Sequence, residues 1–89
     1  MNRLLISYDL IAPGKDYEKL YEYLKGFPYW AKPLESLWVV KTSKEYDIVR
    51  DEIKDFIDAN DKLIVVDITG DAMAWYGLSS EVSQWLLNN

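Results

Sequence analysis

The stretch that decides the fold is RLLISYDL, residues 3–10. Its side chains alternate between a more apolar and a less apolar set, which predicts a central strand with two unequal faces. The two sets are Leu4, Ile6 and Tyr8, and Leu5, Ser7 and Asp9. The strand ends at Asp9, shortly before the turn residues Pro13 and Gly14. Because a carboxylate is costly to bury without a partner, Asp9 is either a turn residue or the only good candidate for a functional acid.

The next segments predict a helix followed by two strands. Asp16 is placed to cap a helix that carries an apolar stripe and ends near Gly26. Residues 27–33 are aromatic and end at a proline, which predicts a short edge strand. Residues 34–41 predict a further strand, with Trp38 and Val40 on one face.

The second half of the chain continues with a helix, a strand and a short appendix. Thr42 and Glu45 have the spacing of a capping box, so a helix is expected to begin at Thr42. LIVVDIT, residues 63–69, is the clearest strand of the chain. Residues 75–78 predict a last short strand, and Ser79 or Ser80 is expected to cap a final helix.

This order of elements predicts the β-α-β-β-α-β pattern of a ferredoxin-like antiparallel sheet, an α+β fold formed by residues 1–89 as a single domain. Two helices are expected on one face of the sheet, followed by a short C-terminal strand and helix. The other face should stay open and carry Leu5, Ser7, Asp9, Trp38, Val40, Val65 and Asp67. Since exposed apolar faces usually mark interfaces, a homodimer through Ser7, Trp38 and Val40 is expected.

Composition restricts the chemistry that the chain can perform. It contains no cysteine and no histidine, which excludes disulfides, Cys/His zinc sites and histidine-based catalysis within the chain. Any catalysis must rest on side chains such as Asp, Glu, Lys or Tyr, with Mg²⁺ on carboxylates as the natural cofactor. No apolar run approaches the length of a membrane span and no signal-peptide pattern is visible, so a cytoplasmic protein is expected.

Charge is unevenly distributed along the chain. Residues 1–41 carry six basic and five acidic groups, whereas residues 42–89 carry four basic and ten acidic groups, and the whole chain has a net charge of -5. An acidic surface repels nucleic acid, so the charge disfavours a nucleic-acid partner and leaves a protein partner as an alternative. The acidic side of the second helix, with Asp51, Glu52 and Asp55, is either an ordinary solvated face or a surface for such a partner.

Three pieces of the chain resemble a known family. They are Ile6-Ser7-Tyr8-Asp9, Ser36-Leu37-Trp38 and Leu63-Ile64-Val65-Val66. In this order, with helices between them, they resemble CRISPR-associated protein two, and most closely its stand-alone relatives outside CRISPR loci. The similarity extends over roughly residues 3 to 70.

The resemblance implies a ferredoxin-like homodimer in which the acid at the end of the first strand approaches its symmetry mate. Some members of the family are metal-dependent nucleases acting on RNA or DNA, and others are non-catalytic bridges in DNA integration complexes. Asp9 matches the position of the family's acid, and Ser36 and Trp38 fall at its serine and aromatic positions.

The leading hypothesis is a small dimeric interaction or assembly module, in phage or bacterial defence, without strong catalysis. The alternative is a metal-dependent endonuclease in which paired Asp9 carboxylates bind Mg²⁺ at a two-fold axis. Asp67 either adds a second carboxylate to the same face or simply faces solvent. The tryptophans are expected to serve packing, with base stacking as the alternative.

Overall fold

A computed structural model of the protein describes residues 1–11 and 16–89. The turn predicted at Ala12-Pro13-Gly14 lies outside the described residues. The described elements are, in chain order, β1 (Asn2–Asp9), α1 (Glu18–Lys25), β2 (Tyr29–Leu34), β3 (Leu37–Thr42), α2 (Tyr46–Lys54), β4 (Lys62–Asp67) and α3 (Ser80–Asn88).

The four strands form one open sheet in the order β2-β3-β1-β4, and every neighbouring pair is antiparallel. β1, the strand predicted to be central, lies between β3 and β4. The segment 27–33, predicted to be an edge strand, contributes most of β2, which does lie at an edge. The structure therefore confirms an α+β protein built on a four-stranded antiparallel sheet.

The register of β1 determines which side chains share a face of the sheet. Ile6 is directly opposite Trp38 of β3 on one side and Val65 of β4 on the other. Directly opposed residues of antiparallel strands point to the same face, so these three side chains lie together. This face packs against α1 and α2 and forms the main core. Its buried members are Leu4, Ile6, Tyr8, Leu20, Leu24, Phe27, Trp38, Val40, Val49 and Ile53.

The prediction that Trp38, Val40, Val65 and Asp67 share a face with Ser7 and Asp9 is therefore wrong. Trp38 is only 1% exposed and Val40 is fully buried, both beneath the helices. The alternation within each strand was predicted correctly. Alternation within a strand does not predict which residues of two strands pair with each other. A shift of one residue in that pairing moves a whole set of side chains to the other face.

The second face of the sheet is covered in part, which corrects the expectation that helices lie on one face only. Leu86 of α3 and the segment 73–78 lie over this face and enclose a cavity of about 350 Å³ with side chains of β1, β2 and β3. Beneath them Val39 and Ala31 are buried, as is Leu86 itself. α3 contacts β2, so the cover lies on the β2–β3 half of the sheet.

The C-terminal segment that carries this cover differs from its prediction in one respect. Residues 75–78 form no strand; instead the Trp75 indole Nε1 donates a hydrogen bond to Ser83 Oγ of α3 at 3.1 Å. The predicted cap of the last helix is confirmed, because Ser79 Oγ accepts a hydrogen bond from the Val82 backbone N–H.

The first two helices, α1 and α2, begin a few residues after the predicted positions. Asp16 Oδ1 accepts the Glu18 N–H at 2.9 Å, while the N-cap position itself belongs to Tyr17. The capping box predicted at Thr42 is wrong, because Thr42 pairs with Asn2 as the last residue of β3. Its hydroxyl accepts the N–H of Lys44, two residues on, so the segment makes a turn before α2 begins.

A charged cluster joins α1 to α2 at the edge of the core. The Tyr23 hydroxyl donates to Glu52 Oε1 at 2.6 Å, and Lys44 Nζ donates to the same oxygen at 2.7 Å. Both hydrogen bonds favour the ionised carboxylate, the one from Lys44 most strongly, and they lower the pKa of Glu52. Burial, together with the carboxylate, raises the pKa of Tyr23.

The core also contains a polar contact between two aromatic side chains. Trp38 Nε1 donates to the Tyr8 hydroxyl at 2.9 Å, and both side chains are buried. Burial raises the pKa of Tyr8, which keeps the hydroxyl neutral. Trp30 packs beside Trp38 with ring centroids 5.1 Å apart. The hydrogen bond fixes the orientation of the largest side chain in the core.

We expect Tyr8→Phe to lower the free energy of unfolding by about 1–3 kcal/mol, because it leaves the buried Trp38 N–H without a partner. Urea denaturation followed by tryptophan fluorescence measures this loss. Tyr46→Phe is the matched control, since Tyr46 is half exposed on α2 and should change little. Equal stability of the two variants would contradict the structural role given to the Trp38–Tyr8 contact.

We expect Glu52→Gln to reduce stability at pH 7 and to have little effect in acid. The pKa of Glu52 is lowered in the folded state, so its contribution is present above the ordinary value of 4.5 and disappears as pH falls through the folded pKa. Denaturation curves at pH 7 and pH 3 measure this change. Glu35→Gln, in the exposed β2–β3 turn, serves as the control. A Glu52→Gln effect of the same size at both pH values would show that packing and not ionisation is responsible.

Candidate functional site

Asp9 lies at the end of β1 on the second face of the sheet, with its side chain exposed. Its direct neighbour across the β1–β4 pair is Lys62. Within residues 1–11 and 16–89 the carboxylate makes no hydrogen bond and no ion pair within 4 Å. A shallow depression of about 170 Å³ surrounds it, lined by Ser7, Tyr8, Asp9, Lys62, Leu63 and Ile64. The side chain is thus accessible and has no structural partner among the described residues.

One copy of this site does not fit a magnesium ion. Mg²⁺ requires six oxygen ligands in near-octahedral geometry, and the depression supplies a single carboxylate beside the cationic Lys62. Among the described residues there is no cluster of three or more Asp, Glu, His or Cys side chains that could hold a metal ion. A metal site at Asp9 would need further oxygen ligands from a second copy or from a bound phosphate.

Asp67 does not join Asp9. Asp67 is opposite Leu4, which places it on the helix-covered face, whereas Asp9 is opposite Lys62 on the second face. The two positions are also separated along β4 by five residues, or about 17 Å at the rise of an antiparallel strand. Asp67 accepts hydrogen bonds from the Thr69 hydroxyl and backbone N–H, which lower its pKa. The idea of a second carboxylate beside Asp9 is therefore wrong.

The tryptophans contribute to packing: Trp38 is buried and the other three are half-buried. Trp38 and Trp30 belong to or pack against the main core, and Trp75 is bonded to α3. Lys32 Nζ lies over the Trp38 ring, 5.6 Å from its centroid. These positions support the interpretation of the tryptophans as core residues over that of a base-stacking platform.

The surface feature that sequence reasoning missed is an exposed apolar pair on β4. Ile64 is 58% exposed and Val66 is 39% exposed. Ser7 and Leu5 of β1 are their direct neighbours on the second face, and Leu5 lines the cavity beneath α3 whereas no residue of β4 does. All four residues of the segment LIVV, 63–66, are apolar, so alternate side chains on both faces of the strand are predicted to be buried. An open face was predicted, but Val65 and Asp67 were assigned to it in place of Ile64 and Val66, because the pairing between strands is not visible in the alternation.

No protein-family model matches the chain, and no solved structure matches it at a significant level. The α+β architecture and the exposed half of the second face are thus the findings from which a function can be argued. Among the described residues no helix is long and apolar enough to cross a membrane.

Proposed function

We propose that the protein is a small interaction module that works as a homodimer without catalysis of its own. The observation that carries this proposal is the exposed apolar pair Ile64 and Val66, which lies on a sheet face that one protomer leaves partly uncovered. Apolar side chains displayed together in this way are typical of a surface that binds another protein.

The order of the strands supports a ferredoxin-like architecture for this module. In the sheet, β3 lies between β1 and β2, and β1 lies between β3 and β4. Each strand-helix-strand unit, β1-α1-β2 and β3-α2-β4, therefore has one strand of the other unit between its own two strands. This split arrangement is the one expected of a β-α-β-β-α-β chain. The likeness to non-catalytic members of the CRISPR-associated protein two family, and with it a role in phage or bacterial defence, rests on the resemblance of β1, β3 and β4 alone.

We propose that the protein is not catalytic because few groups suited to catalysis surround Asp9. The carboxylate belongs to no cluster of three or more acidic side chains among the described residues, and a lysine lies opposite it. General acid–base catalysis and metal binding both need more than one converging group. The exposed acids Asp47, Asp51 and Asp55 on or beside α2 further disfavour a polyanionic substrate. A protein partner suits this surface better than a nucleic acid does.

A metal-dependent nuclease is the second candidate, and one observation favours it. The Asp9 carboxylate is exposed and makes no hydrogen bond or ion pair within the described part of the chain, so it is available to a cation. Two such carboxylates meeting at a two-fold axis, together with water ligands, would complete a site that one copy cannot form. This candidate therefore depends on a dimer that brings the two Asp9 side chains together.

We expect the purified protein to cleave neither RNA nor DNA above the background of Asp9→Asn, with Mg²⁺ or Mn²⁺ present. The reason is that one carboxylate beside Lys62 does not assemble a metal site. Labelled single-stranded and double-stranded substrates resolved on denaturing gels measure the cleavage. Asp67→Asn is the matched control, an exposed carboxylate at the far end of β4.

Two outcomes would decide against the module. Metal-dependent cleavage by the wild-type protein and by Asp67→Asn, lost in Asp9→Asn with the fold intact by circular dichroism, would establish the nuclease. Cleavage that survives Asp9→Asn would show a different active site and would contradict both proposals.

A further inference from the structure

The two edges of the sheet differ in how they are protected against pairing with another strand. β2 contains Pro33, has an irregular register between Ala31 and Leu34, and is contacted by α3. Proline, bulges and a covering helix are the devices that keep an edge strand from pairing with another chain. β4 has no proline and no bulge, and its pairing with β1 is regular over six residues; a helix contacts each edge strand, α3 on β2 and α2 on β4.

The free edge of β4 directs a defined set of backbone groups outward. The Ile68 N–H donates to the Arg3 carbonyl at 2.8 Å, so Ile68 directs its backbone toward β1. Because this direction alternates along an antiparallel strand, Val66 and Ile64 also bond to β1. The N–H and C=O groups between them, at residues 63, 65 and 67, point away from the sheet. Among the described strands none lies beyond β4 to receive them.

We propose that β4 pairs antiparallel with β4 of a second copy across a two-fold axis at Val65, which joins the two sheets into one of eight strands. This inference deepens the proposed function and rests on it, because it names the partner as a second copy and the contact as this edge. The outward backbone groups of β4 are self-complementary in such a pair, and the exposed apolar pair lies directly beside them.

Charge and the length of the overlap disfavour the two neighbouring registers that parity allows. Directly opposed residues of antiparallel strands point to the same face, and a two-fold axis perpendicular to the sheet preserves the faces. The axis must therefore lie midway between the two copies of one residue, so that this residue is opposite itself. An axis at Ile64 sets Asp67 opposite Asp61 of the second copy, and like charges directly opposite each other are unfavourable. An axis at Val66 overlaps only residues 65–67 within β4. Both arrangements are poorer than the one centred between them.

The axis at Val65 pairs residues 63–67 of the two copies and avoids the opposed carboxylates. The residues with outward backbone groups then face one another and exchange hydrogen bonds. Ile64 lies opposite Val66 of the second copy, and Val66 lies opposite its Ile64. The exposed apolar side chains of both copies thus form one continuous patch on the second face.

This arrangement has a consequence for Asp9. Asp9 lies level with Lys62, three residues along from Val65 and one strand inward from the edge. With a rise of about 3.4 Å per residue and a strand spacing of about 4.8 Å, the two Asp9 Cα atoms are about 25 Å apart. They cannot share a metal ion across this axis.

We expect the wild-type protein to be a dimer at micromolar concentration and Ile64→Lys to weaken dimerisation by at least about tenfold, because an ammonium group would face apolar side chains. Sedimentation equilibrium over a concentration series measures both dissociation constants. Ile48→Lys on α2 is the matched control: Ile48 is 47% exposed and its replacement should leave the dimer unchanged. A wild-type monomer, or a dimer equally stable in Ile64→Lys, overturns the proposal.

Single cysteines test the register, since the chain contains none of its own. Hydrogen-bonded partners have Cα atoms about 5.5 Å apart, within reach of a disulfide, so Val65→Cys should cross-link under oxidation. Ile64→Cys should not, because the two copies of that residue are diagonal neighbours more than about 7 Å apart. Non-reducing gels measure the cross-linked fraction. Preferential cross-linking of Ile64→Cys overturns the register.

Failure of this inference and failure of the module can be told apart. A dimer unaffected by Ile64→Lys, combined with no nuclease activity, overturns the β4 contact and leaves the module in place. Nuclease activity dependent on Asp9 in a dimer that Ile64→Lys disrupts overturns the module and leaves the contact in place.

Discussion

The register of β1 between its two neighbours is the constraint on which the rest of the structure depends. Ile6 lies opposite Trp38 and Val65, so three apolar sets meet on one face and give α1 and α2 a common surface to cover. A slip of one residue at either boundary would turn one of these sets toward the opposite face. Trp38 donates its hydrogen bond to the Tyr8 hydroxyl because this register places both side chains on the same face.

Local features of the sequence predicted most of the strands and helices. The start of α2 and the face on which Trp38 lies depend on pairing between distant strands, which those local features do not show. The alternation in RLLISYDL, the proline-limited edge strand and the Ser79 cap are each encoded within a few neighbouring residues. The predicted helix start at Thr42 was wrong because Thr42 forms the last pair of the β1–β3 sheet contact. Its partner in that pair is Asn2, forty residues away in the sequence. The face of Trp38 was wrong for the same reason.

The C-terminal segment determines which part of the second face remains available. A turn at Gly70, with φ of 75°, brings the chain back over β1, where Arg3 donates to the Asp71 carbonyl at 3.0 Å. From there the segment 73–78 and α3 cover the β2–β3 half of the sheet. The half that contains β4 stays exposed. The apolar pair at Ile64 and Val66 is therefore a result of where the appendix packs, which no pattern inside LIVV could reveal.

Asp9 and the exposed pair on β4 share one face, and this limits the functions that a single dimer can have. A two-fold axis near Asp9, with the second faces of two copies stacked, would bring the carboxylates together and cover Ile64. An axis at Val65 joins the edges of the sheets and separates the carboxylates. The outward backbone groups of β4 pair with protein groups only in the second arrangement, because stacking two faces pairs no main-chain groups. In the proposed dimer, the regular and proline-free edge of β4 therefore favours assembly over metal chemistry at Asp9.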